Sequence, residues 1–500
     1  MRDIDEKLLE VVKNGDLDKV IELINLGADP NVIDKEGMTP LHWASRGGYT
    51  EIVSLLLRVA PDTAKKKDND GETPLHYASR NGHPEVVSLL LKVASNTAKE
   101  KDNNGRTPLH LASAWGHPEV VLLLLQVASD TAKEKDKDGR TPLHWASSEG
   151  HTEVVSLLLK VASNTAKEKD NNDWTPLHYA SSGGHTEIVS LLLKVAPDTA
   201  KEKANYGRIP LHLASENGHT EIVSLLLQVA PDTAKIKDRY GWTPLHLASI
   251  KGHTEIVSQF LKVAPDTAKE KDNDGKTPLH LASENRHIKI VLLLLEVAPE
   301  TAKVKDNNGW IPIHWASWNG HTKIVSHLLK VAPDTIEEKD NHGKTPLHLA
   351  SEKGHTKTVL LLLKVAPNTA KEKDAGDKIP LHWASWNGYI NVVSLLLKVA
   401  PDTAKVKDFM SITPLHLASF NSRTKTISLL LTVAPDIINV KNNRGKKPLH
   451  EAKVDNKPKT IQTFFTSISI RLETKMLSPE NLEIYKKYKD KKQSKEKYIF

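Results

Sequence analysis

The amino-acid sequence predicts an all-α solenoid of about fourteen stacked helix–turn–helix repeats. Three observations carry this expectation. A histidine recurs at 42, 76, 110, 144, 178, 212, 246, 280, 314, 348, 382, 416 and 450, every interval being 34 residues. Each of these histidines closes a four-residue motif, usually Thr-Pro-Leu-His. An apolar run, typically Ile/Val-Val-x-Leu-Leu-Leu, follows most of these motifs at a constant distance. A fixed period of about 20–50 residues marks a stack, because so short a unit buries its apolar face only against a neighbour. The chain therefore does not divide into the globular domains that its 500 residues alone suggest.

Each segment of the repeat has a local reason. Asp-x-Asp-Gly, ahead of the motif, is turn chemistry, with glycine supplying positive φ. The motif threonine is a helix N-cap whose hydroxyl accepts from first-turn amides. Proline fits the next position because it lacks an N–H that would be unpaired there. Leucine faces the stack, and the small Ala-Ser pair lets neighbouring helices approach. Gly-His marks the turn into a second helix, apolar on nearly every side as expected of a helix packed between neighbours. Proline after the leucine triplet stops that helix, and Pro-Asp-Thr-Ala-Lys-Glu-Lys-Asp has length for a further turn. Ile209, Ile311, Ile379 and Lys447 replace the capping threonine, each at an expected cost of about 0.5–2 kcal/mol. Residues 374–378 and 408–412 lose the turn motif, so the array is expected to be loosest from 374 onward.

Together, D-x-x-G-x-T-P-L-H-x-A and G-H-x-E-[IV]-V-x-L-L-L resemble the ankyrin-repeat family over roughly residues 4–465. The resemblance implies paired helices joined by β-turn or hairpin-like loops, stacked into a curved superhelix. Its turn tips and inner helices would line a concave binding face. Residues 1–33 resemble an N-terminal capping repeat, 34–441 hold twelve repeats and 442–465 a degenerate last one. Residues 466–500 form a Lys-rich tail, partly helical or disordered, with nine basic and five acidic residues and a helix start at Ser478-Pro479-Glu480.

Composition removes several function classes. With no cysteine there is no disulfide, thiolate zinc site or cysteine nucleophile. Sixty-nine basic against 62 acidic residues is a mild bias that permits a polyanionic partner without demanding one. The N-terminus is charged and has no leader-like apolar stretch, and no apolar run reaches the ~18 residues of a membrane span. An intracellular, cytoplasmic protein is expected; the nucleus, or non-classical export as an effector, stays open. Gly343-Lys344-Thr345 looks like the end of a phosphate loop, but such a loop needs a glycine five residues earlier, where Glu338 stands. A second histidine column, His83 to His355, follows the first by seven residues. The two columns absorb 22 of the 24 histidines with no carboxylate or cysteine in fixed attendance, so both are structural. No catalytic residue, metal or cofactor is expected.

Candidate contacts are the columns that vary. Counted from the motif histidine as zero, position −4 is mainly cationic or aromatic, including Arg208, Lys344, Lys378, Trp242 and Trp310. Trp315 and Trp318, at +1 and +4, share a helix face; Trp383 and Trp386 repeat the pair, and Phe420 takes +4 in the following repeat. Such aromatic clusters suit binding hot spots. Alternatively, +1 is a half-buried inner-helix position, since leucine fills it in most repeats. Position −9 is lysine from Lys67 to Lys441, beside acidic residues that largely cancel it. Position +9 is glutamate from Glu51 to Glu255, then Lys289, Lys323, Lys357, Asn391, Lys425 and Lys459, a change that drift after repeat duplication explains as well as function does. The leading expectation is a monomeric, non-catalytic scaffold binding partner proteins. Polyanion or nucleic-acid binding through the lysine columns and tail is the alternative, with a substrate adaptor or host-targeting effector as a further class.

Overall fold

A computed structural model describes residues 2–453 and 458–469. Among the described residues are twenty-eight α-helices and thirteen 3₁₀ helices, and no strand. The α-helices pair into fourteen repeats, from Asp3–Lys13 with Leu17–Asn25 to Pro448–Lys453 with Pro458–Ser469. The first helix of each pair is helix A, the second helix B. The described residues fall into two compact bodies divided between Ala264 and Pro265. Repeats 1–8 make the N-terminal body and repeats 9–14 the C-terminal body. Beyond Ser469 the expected tail, with its helix start at Ser478, lies outside the described residues.

Helix A starts at the motif proline, as in Pro74–Asn81, and stacks on helix A of the adjacent repeats within each body. Leu75 and Ala78 are fully buried in that stack. Helix A ends on a left-handed glycine, such as Gly48 at φ 72°. A Cβ there would stand 2.6 Å from Nδ1 of His83 in the next repeat, so the turn and the close approach both favour glycine, although Arg286 and Ser422 hold the same left-handed position in repeats 9 and 13 at φ 67° and 58°. Helix B, as in Thr50–Val59, buries Ile52, Val53, Leu56 and Leu57. Contrary to the all-round apolar reading, its last valine faces out, Val59 being 46% exposed. The chain then enters a 3₁₀ helix, Pro61–Lys65, closed by Thr63 Oγ1–H donating to the Ala60 carbonyl at 2.6 Å.

Both histidine columns tie repeats together. In the first, Nδ1 of His76 accepts the Thr73 N–H at 3.1 Å, which leaves the ring proton on Nε2. That N–H donates forward to the carbonyl of Arg106 in the next repeat at 3.2 Å. In the second, Nε2 of His117 donates back to the carbonyl of Arg80 at 2.9 Å. Burial pushes His76, His110, His144, His178 and His212 down to about 4. The same cause holds His280, His314, His348 and His382 at about 4. A neutral ring with one donor and one acceptor suits this geometry; an imidazolium does not.

The threonine is not mainly an amide cap. Its hydroxyl lies against the imidazole, Thr73 Oγ1 being 2.9 Å from His76 Nδ1. Where isoleucine stands instead, the backbone bond survives: Ile209 N–H donates to His212 Nδ1 at 3.3 Å. Ile209, Ile311 and Ile379 are fully buried. The turns of repeats 12 and 13 also persist. Asp374 Oδ1 accepts from the Gly376 and Lys378 amides, and Asp408 Oδ1 from Met410 and Ile412. Asp377 and Ser411 take the left-handed position at φ 56° and 57° that glycine fills elsewhere.

Candidate interaction surfaces

Eight of the ten candidate residues lie in the C-terminal body. The inner-helix tryptophans are pinned to their own turns. Trp315 Nε1–H donates to Asp306 Oδ2 at 3.0 Å, and Trp383 Nε1–H to Asp374 Oδ2 at 2.9 Å. Each indole is roofed by the lysine at position −4 of the preceding repeat. Lys276 Nζ stands 3.7 Å from the Trp315 ring centre while donating to Glu284, and Lys344 Nζ stands 3.8 Å from Trp383 while donating to Glu352. These tripods of lysine, glutamate and tryptophan hold adjacent repeats together by charge and cation–π attraction. Trp310 joins one of them, with ring centres 4.6 Å from Trp315 and 5.5 Å from Trp318, and its N–H donates to Asp340. Lys378 lies 3.5 Å from the buried Asp408 carboxylate.

Position +4 is different. Trp386 and Phe420 stack at 5.6 Å and 17°, and stay 40% and 42% exposed. Trp318, at the same position two repeats before Trp386, is half-buried under Lys353 Nζ, 3.7 Å from the ring centre. Phe409, which the sequence reading passed over, is the most exposed aromatic of this body, at a turn tip beside Lys378. The structure thus separates the aromatic candidates into half-buried cross-links, Trp310, Trp315, Trp318 and Trp383 among them, and an open platform at +4 of repeats 12 and 13, Trp386 with Phe420.

Arg208 and Trp242 belong to the N-terminal body. Arg208 donates to Glu216 at 2.7 Å and lies 3.6 Å from Asp238. It lines an open cleft of about 560 Å³ with Trp174, Tyr179, Leu213, Tyr206 and Tyr240. Burial and a hydrogen bond to Asp170 push the Tyr179 hydroxyl up to about 12, so it stays a neutral donor. Tyr206 adopts φ 67° in a turn where Ala204 stands in place of the usual anchoring aspartate. Arg239 sits over the faces of Tyr206 and Tyr240 at 4.7 and 5.3 Å. The available signal for this cleft was tyrosine at position −6, where six of the thirteen motif repeats have Asn or Asp.

Many lysines of the columns at the turn tips form ion pairs between repeats. Lys67 meets Glu100 at 2.8 Å, Lys101 meets Glu134 at 2.7 Å and Lys305 meets Glu338 at 3.0 Å. A neighbouring column repeats this, as in Lys99–Asp130 and Lys303–Asp334, both at 2.6 Å. At such exposed sites each pair contributes up to about 1 kcal/mol. Together they cancel the tip charge.

A family model for ankyrin repeats (three copies) matches the chain in eleven overlapping stretches between residues 8 and 474. The chain is also similar to the mouse (Mus musculus) 2-5A-dependent ribonuclease, at 41% identity over 66 residues. That stretch is 13% of this chain and 9% of the relative, so the chain spans under a tenth of the relative's length. Among the described residues no helix is long and apolar enough to cross a membrane.

Proposed function

Because the chain belongs to the ankyrin-repeat family, we propose that it is a non-catalytic scaffold that binds partner proteins, with the +4 platform of repeats 12 and 13 as its main contact. The observation that carries this reading is the Trp386–Phe420 stack. Two large rings stay exposed side by side while the tryptophans one turn earlier are roofed and hydrogen-bonded. Adjacent exposed aromatics are the usual anchors of protein interfaces. Both ring nitrogens of buried motif histidines such as His76 and His110 serve the backbone. The ribonuclease in the relative's name is not carried over, since the shared stretch is 66 residues.

Polyanion binding is the weaker reading because the tip lysines already face carboxylates of the next repeat. The test is capture from cell lysate at low and high salt by the intact chain, by Trp386→Ala/Phe420→Ala and by Trp315→Phe. A protein held at high salt by the intact chain and Trp315→Phe, and lost from the double variant, is the expected result. Capture of nucleic acid alone, released by salt and indifferent to the platform, would overturn the reading.

A further inference from the structure

We propose that the chain associates with a second copy of itself through two rows of opposite charge that share one pitch. Both rows lie at the second residue of helix B. In repeats 2–8 of the N-terminal body that residue is always glutamate, from Glu51 to Glu255, and always exposed. In the C-terminal body it is Lys289, Lys323, Lys357, Asn391, Lys425 and Lys459, again always exposed. The sign changes at the boundary between the two compact bodies.

Three features make these rows an interaction surface rather than a solvated edge. The row lysines have no ion-pair partner among the described residues, unlike the tip lysines. Glu284 and Glu352, at the end of helix A in repeats 9 and 11, are bonded to Lys276 and Lys344. Lysine in the first turn also opposes the helix dipole, so nothing local favours it over the glutamate used in the other body.

The occupant follows from complementarity. A partner for the lysine row has to present anions once per repeat at the spacing of stacked helices, and the glutamate row of the same chain does so by construction. A nucleic acid would meet the lysines and leave the glutamates unmatched; a second copy offers a complement to each row. This surface differs from the aromatic platform, so the scaffold reading stands or falls separately. The inference replaces the expectation of a monomer.

The test uses the full chain in sedimentation equilibrium at low and high salt. Two charge-reversal variants are compared, Glu153→Lys/Glu187→Lys/Glu221→Lys and Lys289→Glu/Lys323→Glu/Lys357→Glu. Both charges already occur at this column in the same fold, so helical content should be unchanged. The expected result is association of the native chain at low salt, weakened at least tenfold by high salt and by either variant, and restored when the variants are mixed. A native chain that sediments as a single copy at low salt, or association indifferent to salt and both variants, overturns the proposal. A second measurement needs no variant: carbodiimide coupling of a mixture of isotope-labelled and unlabelled native chains. Mixed-isotope links between the glutamate and lysine rows are expected. Links found only within one copy refute the interface.

Discussion

Lowering the pH from 7.5 to 5.0 should cost this fold about 2 kcal/mol for each deeply buried motif histidine. In the folded chain nine of these rings sit near 4 because burial disfavours the imidazolium, against an ordinary value of 6.5. The unfolded chain therefore binds more protons throughout the window from 6.5 down to 4. Stability is fully present above 6.5, falls as the pH drops through the window and levels off below 4. Protonation also adds a hydrogen to Nδ1, which the backbone N–H of the capping residue already occupies. At pH 5.0 several such rings within one body would together cost an amount comparable with the ~5–15 kcal/mol typical of a folded domain. The assay is urea unfolding followed by far-UV circular dichroism at steps from pH 7.5 to 5.0, at high salt to suppress association. The unfolding midpoint should fall steadily below pH 6.5, with loss of structure in water near pH 5. A midpoint unchanged down to pH 5.0, or motif-histidine proton resonances titrating near 6.5, would refute the reasoning.

Other predictions concern single repeats. Ser215 is fully buried and its hydroxyl has no hydrogen-bond partner, so Ser215→Ala should raise stability by about 1 kcal/mol in urea unfolding; a loss would mean the hydroxyl has a partner. Ser411→Gly, at φ 57°, should stabilise the C-terminal body by about 1 kcal/mol, and destabilisation would count against strain at that turn. Thr175→Val removes the hydroxyl contact to His178 Nδ1 at 2.8 Å but keeps the backbone bond at 3.2 Å. It should cost about 1 kcal/mol or less, whereas 2 kcal/mol or more would restore the amide-cap reading.

Much of the fold was legible because it is written thirteen times. Repetition averages out the noise of any single segment, so the helix pairs, the turn glycines and the structural nature of both histidine columns could be read from spacing alone. Partners could not. Threonine ahead of a helix reads as an amide cap, and only the position of the imidazole shows that the ring takes its hydroxyl. Trp315 and Trp386 look alike in sequence, yet one is hydrogen-bonded to Asp306 beneath Lys276 and the other stacks openly on Phe420. Tyr206 and Tyr240 went unnoticed as a cleft because they come together only across two turns.

What the sequence by itself determined is the unit and its repetition: local propensity, capping and a fixed period suffice to specify a short element and require that it stack. It also set the sign of the charge at the start of each helix B. What only the tertiary structure decided is which charges and rings remain available. A lysine at −9 and a lysine at +9 are equivalent in composition, but stacking brings a glutamate to the first and nothing among the described residues to the second. That outcome depends on distances between residues some thirty positions apart, fixed by helix packing rather than by any property of the residues themselves.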